Sequence, residues 1–116
     1  MLLRGTYREV SEIAVIDFSG GITLGEGTST LRMMVREVVG KGHRKILLNL
    51  GEVDYIDSAG LGELVAAYTT VRKAGGELKL LQPNERVRDL IQITRLFTVF
   101  DVQPNEPAAI RSFNTA

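Results

Sequence analysis

The chain is expected to fold as an α/β domain, with a mainly parallel sheet of four or five strands and about four helices. Three observations carry this. Short runs of branched and apolar residues recur along the chain, such as Ile13–Phe18 and Ile46–Leu50. Segments with apolar residues spaced by three and four lie between them. Glycine pairs mark several of the boundaries. Strands that alternate with helices need crossover connections, and crossovers produce parallel pairing.

The elements follow in order. Thr6–Val10 forms a short strand joined by a hairpin at Ser11-Glu12 to the buried strand Ile13–Phe18, which Gly20-Gly21 close with a turn. From Thr28, the residues Leu31, Met34, Val35, Val38 and Val39 gather on one helical face, and Gly40 and Gly42 stop the helix. Gly25-Glu26-Gly27-Thr28 lacks the Gly-Lys-Ser/Thr ending of a phosphate-binding loop and reads as a flexible connection. Ile46–Leu50 is near-continuously apolar, as in a central strand covered on both faces. The strongest helix runs from the Ser58 region to Lys73, with Leu61, Leu64, Val65, Tyr68 and Val71 in one stripe. Arg72 and Lys73 complement its negative end, and Gly75-Gly76 terminate it. Leu78, Leu80 and Leu81 form a further strand around Lys79, ending before Pro83. Asn84 caps a helix carrying Val87, Leu90 and Ile91; Thr98–Val102 supplies a last short strand and Glu106–Phe113 a terminal helix.

Composition narrows the function. The 116 residues suit one domain, residues 1–116, without room for a second core. With 44% hydrophobic and 24% charged residues the chain is globular in composition. Lys plus Arg equals Asp plus Glu at 14 each, so no net field draws it to nucleic acid or an anionic membrane. The absence of cysteine excludes disulfides and thiolate metal sites, and a single histidine, His43, cannot build a zinc site. No apolar run approaches the ~20 residues that span a bilayer, and the first residues lack a signal-peptide core. A soluble, cytoplasmic protein without a cofactor is expected, with a protein or a small ligand as its partner.

The informative segment is Val53-Asp54-Tyr55-Ile56-Asp57-Ser58-Ala59-Gly60-Leu61-Gly62, between a buried strand and the strongest helix. Either Asp57 or Ser58 can cap that helix. A serine in a first helical turn is accessible, and the unpaired N–H groups there can receive a phosphate. Glu52, Asp54 and Asp57 read as solvated acids, so no metal site is expected. His43-Arg44-Lys45 reads as a solvated basic turn. A catalytic serine needs a general base, and the sole histidine lies on the far side of the intervening strand, so no catalytic residue is assigned. A phosphoaspartate receiver would need an acidic pair after the first strand and a lysine near the last, and neither pattern is present.

In this order of strand, loop and helix, the segment resembles the phosphorylation loop of the STAS family of anti-sigma factor antagonists, which reads Asp-Ser-Ser/Ala-Gly-Leu. The resemblance extends over nearly the whole chain, including the Gly-Gly before the following strand and the Arg/Leu-rich helix after it. It implies a non-enzymatic module that, unphosphorylated, binds an anti-sigma factor with serine kinase activity and thereby releases a sigma factor. Phosphorylation ends the binding, and a phosphatase of the PP2C type restores it. Carried onto this chain, the phosphoacceptor is Ser58 and the partner surface comprises Asp57, Ser58, Ala59, Gly60 and Leu61, with Gly21 and Thr23 of the neighbouring Gly20–Gly25 turn. The chain departs from the family at Thr23, where many relatives carry an acid. The rival reading is a STAS subunit of a larger complex, such as a phospholipid transporter, docking through the same loop without phosphorylation.

Overall fold

The structure is a computed structural model that describes residues 2–114. Its elements are β1 (Arg4–Val10), β2 (Ile13–Ile22), α1 (Glu26–Gly40), β3 (Lys45–Ile56), α2 (Ser58–Lys73), β4 (Glu77–Leu81), α3 (Glu85–Ile93), a 3-10 turn at Leu96–Thr98, β5 (Asp101–Gln103) and α4 (Glu106–Asn114). One sheet carries the strands in the order β1-β2-β3-β4-β5, with β1 antiparallel to β2 and the other neighbours parallel. The mixed α/β architecture expected from the sequence is therefore the one observed.

The first hairpin turns at Ser11 and Glu12, both at positive φ (50° and 69°). Two such residues make the turn whose twist matches that of paired strands. Each later strand lies beside its predecessor, and right-handed crossovers then place α1, α2 and α3 on the same face. Ala14, Ile16 and Phe18 of β2, Ile46, Leu48 and Leu50 of β3, and Leu78 and Leu80 of β4 turn to that face. They meet Leu31, Val35 and Val38 of α1, Leu61, Leu64 and Val71 of α2, and Val87 and Ile91 of α3. The alternate positions Ile13, Val15, Leu47 and Leu81 look the other way and are covered by Ala109 and Phe113 of α4. Two covered faces explain why these strands read as unbroken apolar runs. Among the described residues, no helix is long and apolar enough to cross a membrane.

Several boundaries differ from expectation. Gly20 and Gly21 do not turn the chain; β2 continues to Ile22 and shifts register against β3 on either side of Ser19-Gly20. Gly20 sits at φ +102° with the Leu2 carbonyl against it, a position no side chain fits. β3 likewise runs past Leu50 to Ile56. Gly25–Thr28 is no flexible connection: Gly25 caps α1, and the Thr28 hydroxyl accepts from the Gly25 N–H (3.2 Å) and donates to its carbonyl (3.0 Å). The last strand begins at Asp101 rather than Thr98, because Leu96–Thr98 winds into the 3-10 turn and Phe100 is drawn into the core, edge-on to Tyr68 at 6.0 Å. In the α2 stripe Val65 and Tyr68 are only half-buried, and Ala67 is buried alongside Leu64.

Candidate phosphorylation loop

β2 and β3 end side by side, with Ile22 paired to Ile56. Two helices start at this edge, and their N-termini come close to the end of β2 because glycine allows it. A Cβ on Gly60 would run into the Ile22 carbonyl oxygen, and one on Gly27 would lie 2.9 Å from the Gly21 oxygen. Neither glycine is a breaker. Each is the point where a helix meets a foreign backbone.

Between β3 and α2 the chain passes through Asp57, whose extended backbone (φ −98°, ψ −179°) makes it the N-cap. Of the two capping residues the sequence allows, Asp57 is the one used: its Oδ1 accepts from the Gly60 N–H at 2.7 Å. Its Oδ2 accepts from the Leu24 N–H at 3.0 Å, and its own N–H donates to the Ile22 carbonyl at 3.3 Å. The Leu24 and Gly60 N–H groups hold the Asp57 carboxyl below the usual carboxylate range, so it is ionised at neutral pH. Ser58 is the first residue of α2 and is exposed, with no hydrogen bond from its hydroxyl among the described residues.

The other predicted surface residues divide. Thr23 and Ala59 are half-buried. Gly60 and Leu61 are buried, the first closed against the end of β2 and the second packed in the core. Gly21 is buried but borders an open groove of about 580 Å³ lined also by Thr23, Asp54, Tyr55, Asn84 and Arg86. Asn84 caps α3 through the Val87 N–H (2.9 Å) and also donates to the Val53 carbonyl (2.8 Å), which ties this groove wall to β3. Leu24, within the predicted Gly20–Gly25 turn, is 78% exposed between β2 and α1.

The remaining candidates lie elsewhere. His43 precedes β3 and Ser58 follows it, so the two stand at opposite ends of a 12-residue strand rising roughly 3.3 Å per residue. His43 is half-buried, not solvated as expected: its ring meets Tyr7 edge-on at 6.0 Å, and its Nε2 lies 3.7 Å from Glu9. Arg44 donates to the Val39 carbonyl at 3.0 Å, closing the end of α1. Glu52, Asp54 and Asp57 do not converge; the described residues contain no group of three potential metal ligands.

Comparison with known proteins agrees with this geometry. The family model for the STAS domain matches residues 6–109. BtrV of Bordetella bronchiseptica, named as a candidate anti-sigma factor antagonist, is 32% identical over 96 residues, covering 83% of each chain. A solved anti-sigma factor antagonist from Mycobacterium paratuberculosis superposes with a TM-score of 0.86 at 21% identity, over 97% of this chain and 95% of that one. The Bacillus anti-sigma factor antagonist SpoIIAA matches in its unphosphorylated form (TM-score 0.73, 18% identity, 97% and 100% covered) and its phosphorylated form (0.71, 21%, 94% and 99%). A family match over most of the length, a relative at 32% identity and a shared fold agree that this chain belongs to the STAS domain family.

Proposed function

We propose that this protein is an anti-sigma factor antagonist: unphosphorylated, it docks on an anti-sigma factor with serine kinase activity and frees a sigma factor, and phosphorylation of Ser58 ends the docking. A phosphatase of the PP2C type then resets it. The observation that carries this reading is the exposed Ser58 at the start of α2, directly after an ionised Asp57. A kinase can reach the hydroxyl without unfolding anything. The helix start tolerates an anion, so the fold survives modification. The added charge of about −1.5 to −2 next to Asp57 instead opposes any surface that must desolvate this loop. The names of the relatives and the existence of SpoIIAA in both phosphorylation states support the same assignment.

The test is partner affinity by calorimetry beside the melting temperature of each variant. Ser58→Ala should bind constitutively. Ser58→Asp should lose ~2–5 kcal/mol of binding, roughly 30-fold to several-thousand-fold, while melting within a few degrees of wild type. Equal affinity of wild type, Ser58→Asp and phosphorylated protein would overturn the switch and favour a constitutive docking subunit.

A further inference from the structure

β1 forms one edge of the sheet, and the hairpin geometry fixes which of its backbone groups look outward. Val10 and Ile13 flank the two-residue turn at Ser11-Glu12 and so close it as a hydrogen-bonded pair. Such pairs then recur at every second position, at Arg8↔Val15, Thr6↔Asp17 and Arg4↔Ser19. The N–H and C=O groups of Gly5, Tyr7 and Glu9 therefore point away from β2, and among the described residues no strand covers them. A free edge of this kind is a template for a further strand unless a proline, a bulge or a charge blunts it. β1 contains no proline, pairs with β2 without a register shift, and has its central charge, Arg8, drawn onto the α4 side by Asp17 and Glu106.

The charges along β1 decide which strand fits. A second copy of β1, related by a two-fold axis normal to the sheet, pairs antiparallel in a register centred on Thr6, on Tyr7 or on Arg8, while larger offsets pair fewer residues. Centred on Thr6, the ladder sets Arg4 opposite Arg8; centred on Arg8, it sets the two Arg8 side chains opposite each other. Like charges directly opposite destabilise a ladder. Centred on Tyr7, Gly5 faces Glu9, Thr6 faces Arg8 and Arg4 faces Val10, so no like charges meet and about six main-chain hydrogen bonds close. α1 suits the same arrangement. It lies over β1 with Met34 against Gly5, and Lys41 donates to the Tyr7 hydroxyl (3.0 Å) and to Glu37 (3.3 Å). The two-fold axis runs a copy of α1 antiparallel beside the first, where a base and an acid one turn apart meet the opposite charges of the copy.

We propose that β1 is a self-association edge: two copies of this chain join antiparallel through Gly5, Tyr7 and Glu9, which merges their two five-stranded sheets into one. The Ser58 loop starts at the Ile22 and Ile56 pair, beyond the last β1 pair at Arg4 and Ser19, and stays open in both copies. The proposal does not rest on the phosphorylation reading.

Sedimentation equilibrium of the full chain, from about 1 µM to about 1 mM, should show reversible dimers with a Kd on the order of 100 µM. The association is weak because a few main-chain bonds must offset the loss of free tumbling. In a mixture of isotope-labelled and unlabelled chains, the α-protons of Thr6 and Arg8 from different copies should give a nuclear Overhauser contact, since this register makes them a close, non-hydrogen-bonded pair. Thr6→Arg sets a guanidinium opposite Arg8 of the other copy and should weaken dimerisation about tenfold at low salt, a loss that fades at high salt. Glu9→Pro removes an outward N–H while sparing every bond to β2, and should give a monomer that melts within a few degrees of wild type. If Glu9→Pro fails to fold, Thr6→Arg and the Overhauser contact decide. A chain that remains monomeric at the highest concentration would overturn the proposal, whether or not the edge accepts a strand from another protein. Dimers indifferent to both substitutions would also overturn it, by placing the contact on another face.

Discussion

The two faces of the sheet are held by different forces. Under α1, α2 and α3 the contact is hydrocarbon: Ile16, Phe18, Leu48, Leu64 and Leu80 are each at most 1% exposed, and the Ser58 loop sits at the end of this core. Under α4 the buried hydrophobic cluster among the described residues is smaller, comprising Ile13, Val15, Leu47, Leu81, Ala109 and Phe113, and charged groups complete the attachment. Arg8 donates to Asp17 (2.7 and 3.2 Å) and to Glu106 at the start of α4 (2.6 and 3.1 Å), and Asp17 also accepts from Asn49 at 2.8 Å. Lys79 lies beneath α4, 2.9 Å from the Ser112 hydroxyl, 3.2 Å from Asp101 and 4.7 Å above the Phe113 ring. The difference bears on function. The Ser58 loop rests on a hydrocarbon core, whereas the attachment of α4 draws more on charged groups and is the part expected to respond to salt and acid.

The largest expected effect tests the first face. Leu64→Ala should lower unfolding stability by about 2–5 kcal/mol in urea titration, the range for truncating a well-packed leucine. A cost under about 1 kcal/mol would break the comparison at its strong side. Phe113→Ala on the other face should cost about 1.5–3 kcal/mol, because a detached α4 limits the loss to the docking of one helix. Hydrogen exchange would show this as faster exchange in α4 with α2 still protected. Uniform acceleration through both helices would mean that the faces unfold as one.

A smaller effect distinguishes charge from packing. The Arg8 guanidinium holds the carboxyls of both Asp17 and Glu106 below their ordinary range. A depressed folded pKa adds stability that is complete above the unfolded value, near pH 4, and disappears as the pH falls through the folded value. These side chains are 32–41% exposed, so water screens the network and Arg8→Ala should cost only about 1 kcal/mol at pH 7. The cost should vanish at the acid limit, where both carboxyls are protonated. Melting curves of wild type and Arg8→Ala across this range check it, and a pH-independent gap would show that Arg8 acts through its hydrocarbon stem instead. The smallest effect belongs to Lys79→Met, expected within about 1 kcal/mol of wild type, since an apolar side chain of similar length recovers packing for the buried charge it removes. A loss of several kcal/mol would make the Lys79 contacts a principal attachment of α4.

Much of this architecture can be read locally. The hairpin at Ser11-Glu12, the Asn84 cap, the α2 stripe around Leu64 and the end of α2 at Gly75-Gly76 follow from periodicity, capping and glycine, all of which act over a few residues. The same local rules misplace other features. Gly20-Gly21 resembles a turn and Gly25–Thr28 a flexible connection, yet Gly20 lies in a bulged strand against the Leu2 backbone, and Gly27 packs a helix against the end of β2. Thr98–Phe100 has the composition of a strand, but the core takes Phe100 and the backbone winds before it pairs.

The candidate site divides in the same way. That a serine stands at the start of the strongest helix, after an acid able to cap it, is legible locally, because helix initiation depends on neighbours within one turn. Long-range packing is what joins Asp57 to the Leu24 N–H, buries Gly60 and Leu61, and sets Thr23, Asp54, Tyr55 and Arg86 around one groove. These relations join residues more than 25 positions apart, which meet because parallel pairing of β2 with β3 brings Ile22 beside Ile56 and because Asn84 ties the start of α3 to Val53 of β3.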